Sequence, residues 1–176
     1  MIALLPPNEA ERLEALHRYD ILDTGLEQAF DDIILLASQI CVTKTAMISL
    51  VDRNRRWFKS KIGSTTGETS RDIAFCAHGI LQSEVFVVED ALADDRFAMV
   101  TGDPNIRFYA GAPLITSDGH VLGMLCVNDP VPQTLSPAQR AGLQALSRQV
   151  VAQLQLALAR DAGWRRRAPN RSFWPT

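Results

Sequence analysis

The residues best suited to chemistry are a thiol and an imidazole two positions apart, Cys76 and His78, in the segment RDIAFCAHGIL. A thiolate is a nucleophile and a soft ligand, and an imidazole changes charge near neutral pH. Beside a pocket such a pair could hold a tetrapyrrole, a metal or a redox signal. The same residues also suit packing, with Phe75 and Cys76 plugging a core while His78 hydrogen-bonds to backbone. At this level both readings stay open. Arg71, Arg96 and Arg107 offer guanidinium forks to a carboxylate or phosphate, and Asp72, Asp90 and Asp94 are near enough in sequence to occupy those forks as ordinary ion pairs. Trp57 and Tyr109 have flat faces for a planar ligand, although aromatic residues in strands more often serve a core. The expected ligand-binding set is Trp57, Phe75, Cys76, His78, Asp90, Arg96, Phe97, Arg107, Tyr109 and Met124.

No Walker-type glycine loop, GxSxG or HExxH occurs, so catalysis is not expected. Asp94 and Asp95 are consecutive in an irregular segment, where neighbouring carboxylates point apart. Cys41, Cys76 and Cys126 form neither an even disulfide framework nor a CxxC pair, which predicts reduced thiols and no structural zinc. Cys41 and Cys126 lie on apolar faces and read as core.

The elements that must position these residues follow from period and capping. Asn8 with Glu11 reads as a capping box for a short helix ending near Tyr19, and Thr24 with Glu27 as a second box. The helix it opens carries Phe30, Ile33, Ile34, Ala37, Ile40 and Cys41 on one face. Strand character runs from Ala46 to Val51. Asp52 to Arg55 turn the chain into a second strand holding Trp57, Phe58 and Ile62. Gly63 to Ser70 reads as a surface loop, Phe75 to Leu81 as helical, Val85 to Val88 as a short strand, and Asp90 to Asp103 as irregular. Ala110 to Asp129, AGAPLITSDGHVLGMLCVND, is an Asp-Gly turn between two apolar runs and predicts a tight hairpin. Within it, Gly123 leaves a notch for close approach of backbone or ligand, on a soft apolar face. Ser136, Pro137 and Gln139 start a long helix running to about Arg160. Its stripe of Leu143, Leu146, Val150, Leu154 and Ala157, widened by Val151 and Leu158, exceeds what one sheet contact needs.

The 176 residues, 47% hydrophobic, are enough for one domain with a full core. A net charge of −2 gives no general pull toward nucleic acid or an anionic membrane. Arg165, Arg166, Arg167 and Arg171 concentrate positive charge near the end, where Trp164, Phe173 and Trp174 lack any period; residues 161–176 are expected to be a disordered basic tail. The start MIALLPPNEA has no basic leader region and no segment is long enough to span a bilayer, so a cytoplasmic protein is expected.

Taken in order, the elements imply α+β architecture, an antiparallel sheet with helices packed on it. This order, and the words LDTGLEQAFDDIILLAS, AMISLVDRNRRWFKSKIG, RDIAFCAHGIL, VVEDALADDRF and APLITSDGHVLGMLCVND, resemble the GAF domain, a small sensor module, over roughly Leu22 to Arg160. The resemblance implies a PAS-like α/β/α sandwich with a central five- or six-stranded antiparallel sheet. Terminal helices would pack on one face, and a roof of loops and short helices, here Gly63 to Ala98, on the other. Residues 1–20 would be an N-terminal helix and 21–160 the domain proper. The resemblance also implies a small ligand under the roof, pairing of the terminal helices in a homodimer, and an output domain or protein in two-component or cyclic-di-GMP signalling. No cofactor is identified.

Three departures from GAF subfamilies stand out. Bilin-binding members attach the pigment through a Cys directly followed by His, whereas Ala77 intervenes here. The free methionine-R-sulfoxide reductases place an essential cysteine where this chain reads DPNIRFY, Asp103 to Tyr109. The cyclic-nucleotide signature of other members is absent. The expectation is a sensor that passes occupancy to its terminal helices. Its alternative is a ligand-free structural or dimerisation domain whose cavity is filled by Phe75, Met99, Tyr109 and Met124.

Overall fold

A computed structural model describes residues 4–65, 67–73, 75–97 and 106–167. Strand β1 (Thr45–Val51) is buried at every position. For a strand whose side chains alternate, that means both faces of its sheet are covered. Before it come α1 (Glu9–Arg18) and α2 (Gln28–Cys41). After it come β2 (Arg55–Ile62), β3 (Thr69–Ser70), α3 (Phe75–Gly79), β4 (Phe86–Val88), β5 (Phe108–Ile115), β6 (Val121–Asp129) and α4 (Pro137–Arg167). The six strands form one antiparallel sheet in the order β3-β2-β1-β6-β5-β4. This is the expected α+β sandwich. Thr69 and Ser70 leave the expected loop to pair with Arg56 and Arg55 as an edge strand.

On one face, Ile48 and Leu50 of β1, Phe108 to Leu114 at alternate positions of β5, and Leu125 and Val127 of β6 meet α1, α2 and α4 through Leu16, Phe30, Ile34, Leu143, Val150 and Leu154. On the other, Met47, Val51, Tyr109, Met124 and Cys126 meet the roof residues Phe75, Cys76, Ile80, Phe86 and Phe97. Between the pairs Pro113–Met124 and Ile115–Val121 the register advances two residues on β5 and three on β6. This bulge turns Leu122 toward the helices while Val121 packs on the roof side. Gly123 sits in it. A Cβ there would lie 2.0 Å from the Ser49 carbonyl oxygen and 2.8 Å from Leu50 Cα. The notch anticipated at Gly123 is therefore occupied by the backbone of β1.

The β5–β6 connection is wider than an Asp-Gly two-residue turn. Thr116 N–H donates to His120 O and Gly119 N–H to Thr116 O, both at 2.9 Å, and Gly119 alone takes a left-handed φ of +84°. That is a three-residue loop closing on a glycine bulge.

Helix starts divide by whether tertiary contacts compete for the cap. At α4 the Ser136–Gln139 box forms, with Ser136 N–H donating to Gln139 Oε1 at 2.9 Å and Gln139 N–H to Ser136 Oγ at 3.2 Å. At α2 the expected Thr24–Glu27 box does not form, and the helix begins at Gln28. Lys59 Nζ, buried beneath that segment, donates to Thr24 Oγ1, Gly25 O and Glu27 Oε1 at 2.9, 2.7 and 2.8 Å. Asn8 precedes α1 without a side-chain cap bond; its Nδ2 lies 3.4 Å from His120 Nδ1. On α2 the expected stripe is buried except for Ile40, 38% exposed.

Helix α4 continues to Arg167, past the expected end near Arg160. Gly163 is accommodated within this last stretch, and in the sequence Pro169 lies two residues beyond Arg167. Trp164 to Arg167 thus belong to helical backbone, whereas Phe173, Trp174 and Arg171 lie outside the described residues. The wide α4 stripe is used within the chain, against α2 and β5, and it is α2 rather than α1 that flanks it. No helix among the described residues is long and apolar enough to cross a membrane.

Candidate functional site beneath the roof

Cys76 lies on the short α3, fully buried, and residues from all four central strands converge on it. The alternation of β1 sends Met47, Ser49 and Val51 to the roof face, so Ser49 Oγ lies 3.0 Å from Cys76 Sγ. Tyr109 of β5 and Cys126 of β6 share that face, with Tyr109 Oη at 3.2 Å and Cys126 Sγ at 4.0 Å from the same sulfur. From β2, Arg56 is directly opposite Val51, and its Nη1 reaches Cys76 Sγ at 3.7 Å. Arg56 also donates from Nε to Thr69 Oγ1 at 3.0 Å and lies over the Phe58 ring at 4.7 Å. No carboxylate among the described residues forms an ion pair with it.

These groups are coupled. Burial resists ionisation of Cys76, but hydrogen bonds from Cys126, Ser49 and Tyr109, together with the Arg56 charge, hold its thiol well below the usual range. Its neighbours move the other way. Tyr109 is pushed up by burial and by the negative charge on Cys76. Cys126 is pushed up by its hydrogen bond to Cys76 and by burial. Within the cluster a negative charge is thus favoured on Cys76, beside Arg56, over Tyr109 or Cys126. Cys41, alone in the helix-side core, is simply raised to about 11 by burial.

An aromatic layer closes over the cluster. Phe75 stacks on Tyr109 at 4.9 Å and 13°, and touches Phe97 at 4.4 Å. The His78 ring meets Phe97 edge-on at 5.0 Å. Met124 fills the remaining gap so closely that a Cβ on Gly79 or Gly111 would come within 2.6 or 2.9 Å of its Cε. At the rim, Arg96 spans Phe86 and Phe97 at 5.0 and 5.3 Å while its Nε and Nη2 donate to Asp94 at 2.9 and 2.6 Å. An open groove beside β4 exposes Arg96 together with Arg140 and Glu89.

Of the expected site residues, the fold brings together Phe75, Cys76, Phe97, Tyr109 and Met124, with His78 and Arg96 at their edge. It does not bring in Trp57, which pairs with Leu50 and packs on the helix-side core, across the sheet from Tyr109. Asp90 and Arg107 bind each other, with Nε and Nη2 donating at 2.7 and 2.6 Å, and staple the residue 90–97 segment to the start of β5. Arg71 is held by Glu9 and by the Asp52 carbonyl, so each of the three candidate arginines already faces a carboxylate. Met99 and Asp103 lie outside the described residues. Sequence reasoning missed Ser49, Arg56 and the approach of Cys126. The signal for Ser49 and Arg56 was available in strand parity, since AMISLV places Ser49 with Met47 and Val51, and a short turn places Arg56 opposite Val51. Among the described residues no cluster of three or more His, Cys, Asp or Glu side chains suits a metal ion.

Comparison with known proteins agrees with this architecture. The chain is 39% identical over 153 residues to a cyclic di-GMP phosphodiesterase from Pseudomonas aeruginosa, an alignment covering 85% of this chain but only 26% of that much longer protein. Among solved structures, the GAF domain of an Acinetobacter phosphoenolpyruvate-protein phosphotransferase superposes with a TM-score of 0.64 at 19% identity, over 88% of this chain and 97% of that one. Free methionine-R-sulfoxide reductase from Neisseria meningitidis gives 0.62 at 15% identity, over 92% and 99%. At those identities the likeness concerns the fold alone. The GAF domain model matches residues 25–154, from the approach to α2 through most of α4, and with the six-stranded sheet roofed on one side and helix-backed on the other, the chain belongs to the GAF domain family.

Proposed function

We propose that this GAF domain is a cytoplasmic sensory and regulatory module. In this reading a small molecule is bound between the sheet and the roof, and its occupancy is passed through α1 and α4, which pair in a homodimer, to an output acting on cyclic di-GMP. The observation that carries the reading is the 39% identity to about a quarter of a cyclic di-GMP phosphodiesterase. The roof geometry supports the sensory half. Over the sheet it is built from a short helix, an ion-paired 90–97 segment and stacked aromatics rather than from long regular elements. Mass spectrometry under native conditions on protein made in its own host tests binding. A retained small-molecule mass that is lost on Tyr109→Ala supports the reading. A bare chain in that experiment, with no stabilisation across a metabolite thermal-shift panel, removes the ligand from it.

The close packing of Phe75, Phe97, Tyr109 and Met124 favours a second reading, a structural domain acting only through its helices. Sedimentation of the purified chain separates the halves of the proposal, since a persistent monomer would leave the helices without their partner.

A further inference from the structure

We infer that Cys76 and Cys126 form a peroxide-responsive dithiol, closing to an intramolecular disulfide that cross-links the roof to the sheet. Their sulfurs are in contact at 4.0 Å, from α3 and β6 respectively, and both are sealed from bulk water. Bond formation needs the sulfurs to close by about 2 Å, and Cys76 is carried by a five-residue helix rather than by a central strand.

The surroundings fit a reactive pair better than two packed thiols. A half-buried guanidinium is costly unless an anion answers it; no carboxylate among the described residues pairs with Arg56, and its Nη1 reaches the Cys76 sulfur. Ser49 Oγ and Tyr109 Oη are placed to donate to that sulfur. Cys41 shows the contrast, since it too is buried but forms no such hydrogen bonds among the described residues and belongs to the helix-side core.

The chemistry balances with a hydroperoxide as oxidant. The Cys76 thiolate attacks the terminal peroxide oxygen; an S–O bond forms, the O–O bond breaks, and the departing alkoxide or hydroxide takes the Cys126 proton. The Cys126 thiolate then attacks the Cys76 sulfenic sulfur. The S–S bond forms, hydroxide leaves, and a solvent proton converts it to water. Two electrons pass from the two sulfurs to the peroxide. This step is independent of any ligand beneath the roof.

The test exposes the folded, reduced full chain to hydrogen peroxide, then unfolds and alkylates it. The expected result is loss of two of the three alkylatable thiols, a mass lower by two hydrogens before alkylation, a peptide linking Cys76 to Cys126, and full reversal by dithiothreitol. Cys126→Ser, or Cys126→Ala if the serine variant fails to fold, should stop at a Cys76 sulfenic acid trapped by dimedone. Arg56→Gln should slow disulfide formation severalfold. Three alkylatable thiols after exposure of the folded chain, oxidation seen only in denaturant, or a bridge to Cys41 would each overturn the proposal.

Discussion

The two faces of the sheet are built from the same strands yet carry different physics. The helix face is aliphatic and backed by long helices, and a deeply buried charge there, Lys59, is answered by the Glu27 carboxylate, the Thr24 hydroxyl and a backbone carbonyl. The roof face holds sulfur, phenol, stacked rings and an arginine, Arg56, that no carboxylate among the described residues pairs, covered by short irregular segments. Adjacent residues of β1 thus serve opposite ends, stability on one side and adjustable chemistry on the other. A fold of this kind concentrates its cooperative stability where the helices pack, leaving the other face freer to respond.

The sharpest way to break that division is to strike the residue on which both faces depend. Gly123→Ala places a methyl against the β1 backbone, which cannot retreat without parting the two central strands. A loss of about 3 kcal/mol in urea unfolding is expected, and an unchanged midpoint would mean that the bulge is not needed to hold the faces in register. Next, neighbouring truncations on β1 compare the faces directly. Ile48→Ala opens a void among fixed aliphatic groups and should cost about 3 kcal/mol, whereas around Met47 the flexible Met124 can repack, limiting Met47→Ala to about 2 kcal/mol. Equal losses in the same urea titrations would erase the distinction.

The helix face was the more legible of the two in sequence, and the reason is physical. Its side chains repeat with the period of the element that carries them, as in Phe30, Ile33, Ile34, Ala37 and Cys41, or Leu143, Val150 and Leu154. The Ser136–Gln139 cap was readable because no tertiary contact competes for its atoms. The Thr24–Glu27 cap failed where a lysine far along the chain claims both side chains. The roof site is assembled from α3 and four strands, so no local pattern announces it. Cys126 read as core from its apolar neighbours, and Trp57 as a platform from its type alone. Which face each occupies is fixed by register, which bulges in β2 and β6 alter.

Glu9 sharpens the comparison at the seam where α1 meets the roof. Burial disfavours its charge, but hydrogen bonds and attraction from Arg12 and Arg71 outweigh that and bring its pKa down from 4.5 to about 2. A carboxylate depressed in the folded state stabilises above its unfolded value, and that contribution is lost as pH falls from about 4.5 toward about 2. Glu9→Gln should therefore cost about 2 kcal/mol near neutrality, leaving two buried guanidinia on a neutral amide. Its melting temperature should then fall less steeply than that of the parent through that acid window. Parallel pH profiles would instead place the acid sensitivity elsewhere.

The smallest expected effect is the most local. Asp90 and Arg107 are half-buried bidentate partners near the surface, where an ion pair adds little to global stability. Asp90→Asn keeps a side-chain oxygen for the Leu92 N–H but surrenders the charge that clamps Arg107. Global unfolding should be unmoved while amide exchange accelerates across residues 91–97, including Phe97, whose N–H donates to Asp94 O at 2.8 Å. If protection there is unchanged while the global midpoint falls, the roof is part of the same cooperative unit as the helix face. A single unit would leave no separately adjustable side of the sheet, because opening the roof would then require unfolding the helix-side core with it.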